Sequence, residues 1–201
     1  MGKQAIAKIS GGTGSYAAAR QYVKNNGSSN LELLFTDTLV EDQDAYRFLI
    51  AGAAKLYNID IPKGFLPEIS DFPAWQNRPA YKAFCLSLAI QTMELIPGLH
   101  WIADGRDPWD VYEHERFLGN SLADPCSKIL KRQLADRWLK QNCEPSETEV
   151  IVGIDFEEIE RFEGCDKRKT RGLRRRMADE GWAFIAPLCQ PPISSYGERL
   201  K

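Results

Sequence analysis

The chain has 201 residues, 43% hydrophobic and 27% charged, with 26 Lys and Arg against 28 Asp and Glu. That length predicts one domain burying roughly 70% of its unfolded surface, and the composition excludes a largely disordered chain. A formal charge of −2 does not suit a protein that coats nucleic acid, and no apolar run approaches the ~20 residues of a membrane span.

Met1-Gly2-Lys3-Gln4 runs straight into a strand-like segment with no secretory pattern, so the expected compartment is the cytoplasm. Five cysteines (Cys85, Cys126, Cys143, Cys165 and Cys189), an odd number with no C-x-x-C, predict reduced thiols. Neither a structural zinc nor an iron–sulfur cluster is expected, and no membrane partner.

Strands alternating with helices predict an α/β fold with a mainly parallel sheet. Ala5 to Ile9 reads as a strand ending at Ser10-Gly11-Gly12, and Ser15 to Asn25 as a helix stopped by Asn26-Gly27. Leu31 to Phe35 is a second strand. Asp42 to Asn58 carries Tyr46, Leu49, Ile50, Ala53, Ala54 and Tyr57 at helical spacing, with an acidic first turn suited to the dipole. Residues 59–80, rich in Pro and Gly, read as an irregular excursion with one strand at most, and Tyr81 to Leu95 as a helix. Asp107 and Pro108 open a short helix to Phe117; Asp124 and Pro125 open a long one to Gln141. Glu149 to Ile154 is a β-branched strand, Phe156 to Phe162 begins a helix, and Trp182 to Leu188 is the last strand.

Two strand ends carry candidate chemistry. Ser10, Gly11, Gly12, Thr13, Gly14 and Ser15 join a strand to a helix. Glycines there let the backbone turn sharply and approach a ligand, and amides at a helix start favour an anion. The plain alternative is a tight βα turn. Phe35-Thr36-Asp37-Thr38 closes the second strand, where open parallel sheets bind ligands. Thr36, Asp37 and Thr38 can address a ribose, a base or a metal, or simply cap the next helix.

The order of these segments resembles the PP-loop adenine-nucleotide α-hydrolase superfamily, in its phosphoadenosine phosphosulfate (PAPS) reductase-like branch. Matching segments are the strand leading into S-G-G-x-x-S, the strand ending F-T-D-T, Asp124-Pro125-Cys126-Ser127-Lys128-Ile129-Leu130-Lys131, and Gly153-Ile154-Asp155-Phe156-Glu157-Glu158-Ile159-Glu160-Arg161. Trp101 to Phe117, with Ala103-Asp104-Gly105-Arg106, is similar to phage and bacterial members of unassigned function. The resemblance implies a three-layer α/β/α sandwich of the HUP type. It would form a single nucleotide-binding domain over residues 1–201, with an irregular insertion around 59–120.

It also implies an ATP or PAPS ligand. Ser10, Gly11, Gly12, Thr13, Gly14, Ser15 and Gly153 would serve the phosphates, and Thr36, Asp37 and Thr38 the nucleoside. Lys128, Lys131 and Arg161 would offer positive charge. Mg2+ would accompany the ATP form. The chain departs from the family at three points. Gly14 replaces the Asp of S-G-G-x-D-S that would help place Mg2+, Asp155 replaces an Arg, and no E-C-G-x-H segment follows.

Cys126 reads either as a thiol activated by a helix N-terminus and Lys128, or as packing under the loop. His114 reads as exposed, Cys85 and Trp182 as core, and Trp101 and Trp109 as packing. Lys167, Arg168, Lys169, Arg171, Arg174, Arg175 and Arg176 put seven positive charges into ten residues and leave the rest at −9. That run is either a solvated face or a contact for nucleic acid, without aromatics for base stacking. Three readings stay open: a PP-loop enzyme acting on ATP or a sulfonucleotide, a nucleotide-binding module without turnover, and a nucleic-acid-modifying protein docking through residues 167–176.

Overall fold

A computed structural model describes residues 3–120, 124–165 and 169–189. Five strands form one parallel sheet: β1 (Gln4–Ile9), β2 (Leu31–Asp37), β3 (Leu99–Ala103), β4 (Thr148–Ile151) and β7 (Ala183–Ile185), in the order β3-β2-β1-β4-β7. β1 pairs in parallel with β4 (Ile6 opposite Val150), and β4 with β7 (Val150 opposite Phe184). Strands β5 (Gly164–Cys165) and β6 (Thr170–Arg171) form a separate antiparallel hairpin. The α/β architecture with a parallel sheet flanked by helices is as the sequence leads one to expect. No helix among the described residues is long and apolar enough to cross a membrane.

Contacts divide the chain into two compact units, Met1–Leu33 with Cys143–Lys201, and Leu34–Asn142. In the first, consecutive apolar residues of β1 (Ala5, Ile6, Ala7) and β4 (Val150, Ile151) are all buried, because both faces of a central parallel strand are covered. Helix α1 (Thr13–Asn26) packs on β1 and on a 3-10 turn at Pro187–Cys189. Its buried stripe, Ala17, Ala18 and Ala19, is small enough for close approach to the sheet. Past β4 the chain makes a 3-10 turn (Phe156–Glu158) and helix α6 (Ile159–Glu163), then the hairpin, then helix α7 (Leu173–Asp179), which packs on β7.

The second unit holds α2 (Gln43–Tyr57), α3 (Arg78–Leu95), α4 (Pro108–Glu115), a π-helical stretch (Ser127–Gln133) and α5 (Leu134–Asn142). Asp42 caps α2 by accepting from the Asp44 amide, and Asn58 closes it in the left-handed region at φ 55°. Asp107 and Asp110 form a reciprocal capping box on α4, with Pro108 in its first turn. An aromatic cluster fills the core. Trp101 lies edge-on to Phe35 at 5.2 Å and stacks on Tyr46 at 5.6 Å, and Tyr46 stacks on Phe72 at 5.9 Å. Tyr81, Cys85 and Leu88 reach that core from α3, which packs on β3.

Several expectations need correcting. Strand β3 falls where only a packed loop is expected; it is five residues long, with Leu99 and Trp101 buried and the rest part-exposed. The helix after Pro125 is not regular: residues 127–133 are underwound into a wider π-helix before α5 resumes. β4 stops at Ile151, and β7 covers only Ala183–Ile185. Residues 59–77 are the irregular excursion expected, with a 3-10 turn at Ile69–Asp71 and no strand.

Candidate functional site

In the first unit, the loop after β1 gathers Ser10, Gly11, Gly12, Thr13, Gly14 and Ser15 around the start of α1. Gly11 sits at φ 65°, a left-handed conformation that glycine adopts without strain. Gly12 is the N-cap residue, and no side chain caps the helix. First-turn amides have no acceptor within their own helix, so they point outward as donors. The loop braces itself through two hydroxyls: Ser15 Oγ accepts from the Ser10 amide at 3.1 Å and donates to the Gly12 carbonyl at 3.1 Å, and Ser10 Oγ lies 3.2 Å away. This is a donor-rich turn with no acidic residue in the first helical turn. It suits an anion.

Gly153, just past β4, supports this loop from below. A Cβ there would stand 2.5 Å from Ser15 Cα and 2.6 Å from Ser15 N, both backbone atoms that cannot yield. At Gly14 a Cβ would meet only the Gly153 carbonyl, at 3.4 Å. The structure thus brings Gly153 together with the serine–glycine loop.

Arg161 belongs to the same unit but is exposed on α6, where its Nη1 pairs with Glu158 Oε1 at 3.0 Å. Asp155 caps the 3-10 turn, accepting from the Glu157 and Glu158 amides. Its position as a backbone cap explains an acid there. Cys189 rests against the Ile154 and Asp155 carbonyls, and burial pushes its thiol pKa up, helped by the Asp155 charge.

In the second unit, Thr36 and Asp37 end β2, and Thr38 follows it. Asp37 is fully buried. Its Oδ1 accepts from the Leu39 amide and the Tyr46 hydroxyl, each at 2.7 Å, and its Oδ2 accepts from Trp101 Nε1 at 2.9 Å. Burial raises its pKa, although all three donors oppose the rise. The Leu39 bond holds that residue at φ 62°, unusual for a buried leucine, so Asp37 fixes the turn after β2. Beyond the turn, Thr38 Oγ1 donates to Glu41 at 3.0 Å and Lys131 Nζ pairs with the same carboxylate at 2.6 Å. Neither Tyr46 nor Trp101 stands out in the sequence as a partner of Asp37; helical spacing assigns Tyr46 to a buried stripe, and Trp101 looks like packing.

Lys128 is exposed on the π-helical stretch. Cys126 precedes it, its Sγ donating to Asp124 Oδ1 at 2.9 Å and lying 3.1 Å from the Tyr112 hydroxyl. Burial and then the Asp124 carboxylate raise its pKa. Of the two sequence readings of Cys126, this setting favours packing: the charged group in hydrogen-bond contact with the thiol is the acid at 124. Asp124 also accepts from the Ser127 amide, as a helix cap should. Cys85 is core, its thiol pushed up to about 12 by burial.

The loop offers Mg2+ no carboxylate. Among the described residues no three His, Cys, Asp or Glu side chains gather to hold a metal. Lys167 and Arg168 lie outside the described residues. No family model matches the sequence, and no curated protein matches it.

Proposed function

We propose that the Ser10–Ser15 loop binds the phosphate chain of an adenine nucleotide, ATP or PAPS, in the manner of the PP-loop, PAPS reductase-like proteins that the sequence resembles. The observation that carries this reading is the pairing of an uncapped α1 N-terminus with Gly153, whose missing side chain leaves the loop its close seat. Amides of the first turn and the hydroxyls of Ser10 and Ser15 surround an anion without a competing acid, and each hydroxyl can rotate its proton from its present acceptor toward phosphate oxygen. If the phosphate reacts, these same fixed donors stabilise the charge that develops on it. Asp37 acts by holding the strand end in shape, with both its oxygens engaged by protein donors.

A second reading, nucleotide binding without turnover, is favoured by one further set of observations. Gly14 supplies no carboxylate, Arg161 is engaged by Glu158, and burial beside Asp124 pushes the Cys126 pKa up. Calorimetric titration with ATP, AMP and PAPS tests binding, and pyrophosphate release from ATP separates the two readings. The Ser10→Ala, Ser15→Ala double variant is expected to lose at least tenfold in affinity, about 1.4 kcal/mol. Undiminished affinity refutes the loop assignment.

A further inference from the structure

The described residues of the basic run near the C-terminus fall into two kinds. Arg171 on β6 pairs with Asp179 at the end of α7, and Arg174 on α7 pairs with Glu163 of α6 at 2.6 Å. These two arginines are clamps that tie the hairpin, α6 and α7 together. The clamp sits on a tight crossing: Gly164 is at φ 94°, and a Cβ on Gly172 would stand 2.2 Å from the Gly164 amide nitrogen. Lys169, Arg175 and Arg176 are exposed and have no carboxylate partner among the described residues. Residues on a helix are 100° apart, so Arg174, Arg175 and Arg176 fan across the side of α7 opposite the half-buried Leu173 and Met177.

We propose that Lys169, Arg175 and Arg176 form a docking surface for the phosphate backbone of duplex nucleic acid. The surface chemistry selects this occupant. Guanidinium forks match phosphate in two-point hydrogen bonds, and two of the three groups are guanidinium. Among described residues 169–180 there is no exposed large apolar side chain to enter a lipid surface, and no exposed aromatic on which a single strand's bases stack. What is left is backbone contact, which positions a duplex without reading its sequence. The surface stands apart from the nucleotide reading, and either can fail without the other.

The test follows binding of a mixed-sequence DNA duplex by fluorescence anisotropy as salt rises from about 50 to about 200 mM. Three phosphate contacts give a slope of log affinity against log salt of about −3, falling to about −1 in the Arg175→Ala, Arg176→Ala variant. Both side chains are exposed, so circular dichroism of the variant should match the parent; if it does not, the single Arg175→Ala variant, with an expected slope of about −2, takes its place. No duplex binding at low salt, a slope that the variant leaves unchanged, equal affinity for a single strand, or preference for phosphatidylserine vesicles overturns the proposal.

Discussion

Gly153 lies so close beneath Ser15 that a single methyl group on it would stand 2.5 Å from the Ser15 α-carbon. The strand end and the helix start are in backbone contact, and the loop between Ser10 and Ser15 takes its shape from that contact. Gly153→Ala must push α1 off its seat. The expected cost is about 2 kcal/mol in urea unfolding, with nucleotide affinity lowered by at least tenfold. Gly14→Ala is the matched control: its Cβ meets the Gly153 carbonyl at an ordinary 3.4 Å, and alanine is the better helix former, so stability should change by less than about 1 kcal/mol. Equal effects of the two substitutions would contradict the close-contact account.

Asp37 supplies a test of a different kind. Its carboxylate receives three N–H or O–H donors while fully buried. In Asp37→Asn one oxygen becomes an NH2, a donor facing another donor, so an expected loss of about 2 kcal/mol follows. The pH dependence has a definite sign. Burial raises this pKa in the fold, so the folded chain holds more protons than the unfolded one above pH ~4, and stability falls as pH rises through the folded value. Asparagine does not titrate, and the stability difference between parent and variant should narrow as pH rises from about 4.

Much of the frame around these residues is legible in the chain itself. β1 and β4 announce themselves through consecutive apolar residues, Ala5 to Ala7 and Val150 with Ile151, because they are covered on both faces. Asp107 with Pro108, and Asp124 with Pro125, mark helix starts through local chemistry that any fold would use. β3 is not legible, because a five-residue strand with two buried side chains has too little pattern to separate it from a loop. The Asp37 cluster is equally hidden. Its partners Tyr46 and Trp101 are 9 and 64 residues away, and nothing local joins them. The basic run shows its charge in the sequence but not its division into clamps and exposed groups, since the pairing of Arg171 with Asp179 depends on the hairpin folding back beside α7.

Arg78 and Lys82 on α3 converge on Asp107 and Asp110 at the start of α4. Arg78 reaches both oxygens of Asp107 at 2.7 Å, Lys82 lies 3.0 Å from its Oδ2, and both also contact Asp110. Burial disfavours the Asp110 anion, but hydrogen bonds from Lys82 and the Asp107 amide, with both cationic charges, outweigh it and hold its pKa at about 2. Asp107 is lowered by the same balance. Folded carboxylates of depressed pKa bind fewer protons than unfolded ones, so this stability is complete above pH ~4 and disappears as pH falls toward about 2. Asp107→Asn leaves Asp110 as the single carboxylate facing both cations. The expected loss at neutral pH is about 3 kcal/mol, with a flatter acid limb in urea unfolding.

Cys126 distinguishes a reactive thiol from a structural one. It donates to Asp124 and faces the Tyr112 hydroxyl, whose own pKa is raised to about 12, first by its bond to Cys126 and then by burial. A thiolate here would lie 2.9 Å from the nearer Asp124 oxygen, so burial and that charge both favour the protonated form. Thiolate is the species that alkylates. Iodoacetamide should therefore modify Cys126 at pH 7.5 more slowly than it modifies free cysteine, and the rate should climb only above the ordinary thiol range of about 8.5. Asp124→Asn removes the opposing charge but keeps an acceptor for the Ser127 cap, so it should speed alkylation without unfolding the helix start. Mass spectrometry of the Cys126 peptide over a pH series reads both rates. Modification at pH 7.5 as fast as free cysteine, unaffected by the change at 124, would restore Cys126 as a candidate nucleophile and make Lys128, not Asp124, its governing neighbour.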